Sequence, residues 1–424
     1  MIVWLLLSLF VFIAMGIPIA FSIGLSSLLY LVASDIPLSL IAQRSVMGVF
    51  SYSFLAIPFF VLSGMIMERG GTTKRLMNLA NSFVGHFKGG LAVVDIVVSM
   101  MFAALSGSGV GGTAAVGSIM IPSMKRKGYS GAFAAAVEGT SGVLASIIPP
   151  SLTIVIIGVT GGVSIGRMFF AGIIPGIICG LALIVVALII SRKRGYGGDE
   201  KSTWRARFSA MKHAILPLVN PIIILGGIFG GIFTVTEAAV VSVVYSLLLS
   251  MVIYREMNFK DLIEICIKTI RISCAILIII AISSLFAWIL TAERVPQRLT
   301  VFFSQVSPNK YVFFLYINLL LLLLGTFMES SALVLILIPT LLPVASAFGI
   351  DPVHFGIIFL INLTIGANTP PLGVTLMTGA KIAEVPFYSA AKEVIPFLGA
   401  MVVALLLFTV FPQIVLWLPN MVFG

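Results

Sequence analysis

Charge is what this sequence has least of. Charged residues make up 9% of its 424 positions, against 60% hydrophobic, and its mean hydropathy is +1.19. Soluble domains carry roughly a quarter charged residues, so a soluble globular protein is excluded. Cysteine is nearly as scarce. Cys179, Cys266 and Cys274 stand apart in apolar runs with no CxxC spacing, which removes thiol redox chemistry and thiolate metal sites. Three histidines, His86, His213 and His354, lie at loop edges and assemble neither a metal set nor a proton relay. HExxH, GxSxG and GxxxxGK[ST] are all missing. Metalloprotease, serine hydrolase and P-loop ATPase chemistry therefore have no carrier in this chain, and no enzyme is expected. Period-two alternation is lacking too, which leaves helices as the spanning element. The N-terminus "MIVWLLLSLFVFIAMGIPIAF" has no basic leader and no small-residue cleavage site, and reads as a retained first span.

What the chain does have is apolar runs of membrane length. A hydrocarbon core about 30 Å thick takes roughly 20 such residues in a helix. Spans are expected at about 2–33, 52–69, 130–160, 168–191, 213–232, 234–254, 263–290, 353–380 and 387–411. Between them the charges are unevenly shared. With alternating sides, 20 of the 25 Lys and Arg fall on one face, and Arg44, Arg167, Arg294, Arg298 and Lys310 on the other. Lys and Arg mark the cytoplasmic side, so the basic pI of about 9.7 follows from topology and not from a nucleic-acid partner. The lipid bilayer is therefore the expected surrounding partner.

Two further apolar segments, 89–127 and 310–346, are too long for one crossing, and small residues interrupt each: "SGSGVGG" (106–112) and "GTFMESS" (325–331). Lys88 precedes the first and "KRK" (125–127) follows it, so both its ends lie inside and it reads as a re-entrant hairpin. Each hairpin is followed by a span carrying Pro-Pro at its centre: "ASIIPPSL" (145–152) and "GANTPPLG" (366–373). The spacings match. Gly107 lies 15 residues before Pro122 and Gly325 lies 14 before Pro339, while Pro150 and Pro371 each lie 25 before a further proline. Short amphipathic arms (72–86 and 296–306) precede the hairpins. One extra span, 213–232, joins the halves and inverts the second. The fold class expected is an all-α polytopic membrane protein built as an inverted repeat.

Proline cannot donate a backbone hydrogen bond and crowds the preceding turn, so each helix stops before its Pro-Pro and a new half-helix starts there. A break leaves carbonyls orphaned on one side and N–H groups on the other. Half-helix N-termini favour an anion such as a carboxylate. Exposed carbonyls and hydroxyls suit a small hard cation, Na⁺ above all, as in the discontinuous helices of secondary transporters.

At these motifs the chain resembles the large membrane subunit of tripartite ATP-independent periplasmic (TRAP) transporters. The carriers are "SGSGVGGTAAVGSIMIPSMKRKGY" (106–129), "ASIIPPSLTIVI" (145–156), "FTVTEAAVV" (233–241), "GTFMESSALVLILIP" (325–339) and "INLTIGANTPPLG" (361–373), and the likeness covers essentially the whole chain. The resemblance implies Na⁺-driven uptake of an organic acid, of sialic acid or C4-dicarboxylate type, with no cofactor beyond the coupling ion. It implies a small membrane subunit, expected as a separate chain, and a periplasmic substrate-binding protein. It also implies an elevator. Segments 89–160 and 310–380 would be the transport domain; 1–88 and 161–309 would be scaffold and arms, and 381–424 a closing span. One cation site is expected at Ser106, Ser108, Gly142 and Pro149, mostly through carbonyls, and a second at Gly325, Glu329, Thr364, Gly366 and Asn368. Thr113, Ser146, Ser331 and Thr369 are the substrate candidates. Many family members carry a polar or acidic residue where this hairpin tip has "GVGG", which leaves more to backbone here.

Intramembrane acids default to functional hypotheses. Glu329 fits cation binding or anchoring of its tip. Glu138 and Glu237 are expected to pair across helices, and Asp95 to bond a nearby cation. The rival readings are a passive anion channel, since channels also use re-entrant loops and half-helix dipoles, and an H⁺-coupled carrier.

Overall fold

The computed structural model describes all 424 residues, and every regular element is a helix. The expected first span is two helices, α1 (Ile2–Ala14) and α2 (Ile19–Ala33), because Gly16 turns left-handed (φ +80°) two residues before Pro18. A short helix α3 (Ser39–Val49), absent from the expected spans, follows before α4 (Ala56–Arg69). The first arm is α5 (Thr72–Val84), and the first hairpin is α6 (Gly90–Ser106) and α7 (Gly109–Arg126). The first broken helix is α8 (Gly131–Gly142) and α9 (Leu152–Gly161), separated by a 3₁₀ turn and the two prolines.

Long helices then run as α10 (Ile165–Lys193), α11 (Trp204–Phe229), α12 (Val235–Leu247, continued by a π turn) and α13 (Phe259–Ala292). The second arm α14 (Val295–Val306) bends by 118° into α15 (Lys310–Gly325), which pairs with α16 (Ser330–Ala347) as the second hairpin. The second broken helix is α17 (Pro352–Gly366) and α18 (Val374–Ala383). The chain ends in α19 (Phe387–Val410) and α20 (Pro412–Phe423), the latter also absent from the expected spans. Seven helices are long and apolar enough to cross a membrane, or eight with the bent α14–α15 pair.

Packing sorts these helices into two bodies. One collects both hairpins and both broken helices: α8 lies on α6, α7 and α18, and α9 on α16 and α17. The long helices α10 and α19 join it, packed on each other and on α6, α8 and α17. A single core runs through this body, including Phe133, Phe169, Phe313, Phe355 and Phe397, and continues into the neighbouring helices through Phe60, Ala238 and Ile280. The leading halves α8 and α17 lie at its centre, and every residue of α17 from Val353 to Gly366 is buried. A helix apolar all round belongs in such a place. Lipid is as apolar as leucine, so close approach through small residues replaces the hydrophobic effect as the driving force. "GAFAAAVEGTSG" in α8 supplies that: a Cβ at Gly139 would lie 3.0 Å from the Leu376 Cα, and one at Gly379 would lie 2.8 Å from the Ala135 carbonyl oxygen.

The other body is formed by α1–α4 and α11–α13, with α13 resting on α2, α3 and α4, and α12 on α4. Ser63 bonds the hydroxyls of Ser242 (2.5 Å) and Ser246 (2.8 Å) where α4 meets α12. The bodies meet where α13 touches α16 and α4 touches α6. On the basic face the α10–α11 loop straps them. Asp199 accepts from Lys127 Nζ at 2.7 Å and from Asn81 of the arm at 3.2 Å, and Tyr196 stacks on Tyr129 with ring centroids 4.2 Å apart. The Lys127 ammonium holds the Asp199 carboxyl below its ordinary range.

Candidate functional site

The site forms where each hairpin tip meets its broken helix. In the first tip, Gly107 takes the left-handed conformation (φ +61°) that ends α6, and Ser108 caps α7 by accepting from the Gly111 N–H at 3.3 Å. Only glycine fits at 107, since a Cβ would lie 2.6 Å from the Pro150 carbonyl oxygen. The Leu152 N–H, at the start of α9, donates to the Gly107 carbonyl at 3.3 Å, which locks tip and break together. Both Pro-Pro bonds, 149–150 and 370–371, are cis.

Around this lock the expected residues converge unevenly. Gly142 packs so closely on Thr113 that a Cβ there would lie 1.9 Å from the threonine hydroxyl. Ser106 approaches the same point, since a Cβ at Gly112 would lie 3.8 Å from both the Gly142 carbonyl and the Ser106 hydroxyl. The hydroxyl oxygens of Ser106 and Thr113 are buried and have no hydrogen-bond partner. Thr113, expected on the substrate side, is fully buried beside Gly142, a residue expected in the first cation site. Ser108 is engaged as a cap. Pro149 lies buried in the break, and Ser146 lies half-buried beside Gly109. Ser151 had not been singled out: it caps α9 through the Ile154 N–H and donates to the Ser146 carbonyl at 2.5 Å.

The second tip is built on a glycine contact. A Cβ at Gly366 would lie 2.6 Å from the Gly325 Cα, so the two backbones touch. Thr364 and Thr369 donate to carbonyls of their own helix, Leu360 at 2.8 Å and Ile365 at 2.7 Å, which leaves their oxygen lone pairs free to accept. Asn368 is buried; its Oδ1 accepts from Thr375 at 3.1 Å, while its Nδ2 has no partner. Thr375 is a second residue not singled out, although it follows the prolines as Ser151 does. Glu329 caps α16: one oxygen accepts from the Ala332 N–H at 3.1 Å and the other from Ser331 at 2.8 Å. That N-terminus is already occupied by the chain's own carboxylate, and Ser331 is committed to it. The two tips are joined through the centre, where a Cβ at Gly139 of α8 would lie 3.2 Å from Asn368 Oδ1.

Two acids, Glu237 and Asp95, differ from expectation, while Glu138 does bond across helices, to Ser99. Glu237 is exposed and pairs with no other helix; it closes a capping box on its own helix α12 with Thr234. Asp95 and Glu138 are both fully buried between α6 and α8 with no basic partner, and Ser99 donates to Glu138 at 3.4 Å.

Residues 6–414 match the family model described as "Tripartite ATP-independent periplasmic transporter, DctM component". The chain belongs to this family. Among TRAP relatives, it is 41% identical over 410 residues to the sialic acid TRAP transporter large permease protein SiaM of Vibrio cholerae, covering 96% of each chain. It is 39% identical over 432 residues to the C4-dicarboxylate large permease protein DctM of the same organism, covering 96% of this chain and 95% of that one. The isethionate permease protein DctMQ of Oleidesulfovibrio alaskensis is 38% identical over 405 residues, which are 95% of this chain and 64% of that longer one. Among solved structures, the YdaH transporter of Alcanivorax borkumensis superposes with a TM-score of 0.59 at 13% identity, covering 89% and 88% of the two chains. At that identity the likeness concerns the fold alone. The chain is thus a multi-pass TRAP permease component, and its named relatives are permeases and not enzymes.

Proposed function

We propose that this TRAP component is the permease of a secondary importer that couples an inward Na⁺ gradient to uptake of an anionic organic acid across the bacterial inner membrane. The observation that carries the reading is the pair of buried, unpartnered hydroxyls, Ser106 and Thr113, held against Gly142 at the first tip. A buried hydroxyl without a partner costs about 1–3 kcal/mol, a cost that a bound cation removes by accepting the lone pairs. Hydroxyl and carbonyl oxygens, with no thiol or imidazole among them, make the hard donor set a small alkali or alkaline-earth cation prefers. Ser106, Thr113 and Gly142 hold one cation. Gly325, Thr364, Gly366 and Asn368 hold a second, with Glu329 serving chiefly as the cap that shapes the tip. The substrate carboxylate takes the N-terminus of α18, where Gly373 provides no side-chain cap, beside Thr369.

Names of the relatives support the substrate class: sialic acid or a C4-dicarboxylate. A periplasmic binding protein delivers it, and a small membrane subunit, as a separate chain, completes the permease. The moving body comprises the hairpins, the broken helices and the two long helices α10 and α19 that share their core; the remaining spans form the scaffold. This differs from the sequence-based division only in carrying α10 and α19 along.

The test is uptake of labelled sialic acid and of succinate by proteoliposomes holding this chain, its small subunit and its binding protein. Accumulation above the external concentration, dependent on both an inward Na⁺ gradient and the binding protein, is the result expected. Equilibration indifferent to Na⁺ would return the channel reading, and accumulation driven by a pH gradient alone the H⁺-coupled one.

A further inference from the structure

On the basic face, a crevice of about 340 Å³ separates the scaffold from the first hairpin. Its scaffold wall comes from α4, α13 and the start of the arm α5; its other wall is α7, presenting the small residues Ala115 and Ser118. Three cations line it. Arg69 is held by Asp261 at 2.6 Å, but Lys74 and Lys268 have no ion-pair partner, against one lining acid, Glu68. The N-terminus of α5 opens here as well. It is a helix of 13 residues that starts on left-handed Gly71 (φ +72°) without a side-chain cap. Thr73, in its first turn and lining the crevice, is 4% exposed, and its hydroxyl has no hydrogen-bond partner. Orphaned N–H groups, a waiting hydroxyl and two unpaired ammonium groups all favour the same ligand, an oxyanion.

The crevice lies little more than one helical turn along α7 from the first tip. Ser118 lies five residues along α7 from Thr113, about 7.5 Å at the helical rise. Met65, also lining it, adjoins Gly64, where a Cβ would lie 2.9 Å from the Ser106 Cα. We infer that this crevice is an anion-binding waystation, in which Lys74, Lys268, Thr73 and the α5 N-terminus receive the carboxylate of the transported acid as it leaves the hairpin for the cytoplasm. The inference rests on the proposed uptake function, and it assigns that function an exit path with its own binding groups.

The test reads the crevice's electrostatics directly. In a Cys266→Ser, Cys274→Ser background, Ser118→Cys is labelled in the intact permease, in nanodiscs of neutral lipid, with an anionic and a cationic methanethiosulfonate. The anionic reagent should gain about tenfold over the cationic one, relative to a free thiol, as a focused positive field provides. Lys74→Gln with Lys268→Gln should return the ratio to the free-thiol value, and each single variant should fall between, which guards against a misfolded double variant. Sialic acid or succinate should slow labelling where chloride at equal ionic strength does not, and Thr73→Val should remove that protection while leaving the ratio unchanged. A ratio equal to the free thiol's, or one that survives loss of both lysines, overturns the proposal. So does protection conferred by phosphatidylglycerol in the nanodisc and by neither acid, which would make the ligand a lipid headgroup. If the anion preference holds while gradient-driven uptake fails, the crevice binds anions and the functional reading is what falls.

Discussion

At the residue scale the two tips make opposite use of their polar groups. In the first, Ser106 and Thr113 are left unsatisfied; in the second, Glu329 and Ser331 satisfy each other and the end of α16. Removing an unsatisfied buried hydroxyl is neutral or stabilising unless a ligand uses it. Ser106→Ala and Thr113→Val should therefore leave the melting temperature of the purified permease unchanged or raised, yet increase the Na⁺ concentration for half-maximal uptake about tenfold or more. Unchanged Na⁺ dependence in both would remove them from the cation site. Glu329 separates cap from ligand: glutamine keeps a capping oxygen, whereas alanine costs about 1 kcal/mol as a lost N-cap does. Glu329→Gln should keep uptake within about threefold of wild type and Glu329→Ala should lower thermal stability; loss of Na⁺ dependence in the glutamine variant would make Glu329 a ligand. Gly366→Ala would force a methyl group to within 2.6 Å of the Gly325 backbone. Backbone cannot step aside as a side chain does, so a destabilisation of about 1–3 kcal/mol is expected, with uptake largely lost.

At the element scale the α10–α11 loop is the strap whose state depends on pH. Asp199 has its carboxyl pKa depressed below 3.8, first by the hydrogen bond from Lys127 and further by Asn81. A depressed carboxylate contributes stability that is fully present above its unfolded pKa and fades as pH falls through the folded value. Asp199→Asn should therefore be less stable than wild type at pH 7, with the difference shrinking as pH falls below about 3.8 and on through the lower folded value. A difference that stays constant across that acid range, in melting scans of the two proteins, would mean the strap works through packing and not through this ion pair.

Which elements could be read from sequence follows the same physics. Pro-Pro within an apolar run has one local outcome, a broken helix, so α8–α9 and α17–α18 were legible, as were the glycine-tipped hairpins. The bend at Gly16–Pro18 obeys the same rule but was hidden in a run apolar throughout, and α3 and α20 are too short to register as spans. Of the candidate site, Gly142, Gly325 and Gly366 were named from sequence, and each packs closely on another tip or break residue. Ser151 and Thr375 were not named, because the N–H that Ser151 caps and the Asn368 oxygen that Thr375 meets are known only from the folded backbone. Asp95 and Glu138 lie 43 residues apart in sequence, and only the packing of α6 on α8 shows that neither has a cation to pair with.

At the scale of the whole molecule, the proposed function requires a body that carries the site and a scaffold that stays in place. Helices α10 and α19 go with the body because they pack on each other and on α6, α8 and α17, while body and scaffold touch through α13 with α16, α4 with α6 and the arms α5 with α6 and α14 with α16, within one continuous core. Carrying a midplane site to either face of a hydrocarbon core about 30 Å thick asks for a displacement of up to about 15 Å. The most direct test is a distance. Spin labels at Tyr388, the exposed basic-face end of α19, and at Phe259, the exposed end of α13 on the same face, report body against scaffold. A moving body gives two populations of separation in liposomes, differing by up to about 15 Å of body movement, whose ratio shifts when Na⁺ and the transported acid are added together. A single separation, unchanged by either ligand while uptake proceeds, would contradict a moving body and leave a fixed pore as the description of this protein.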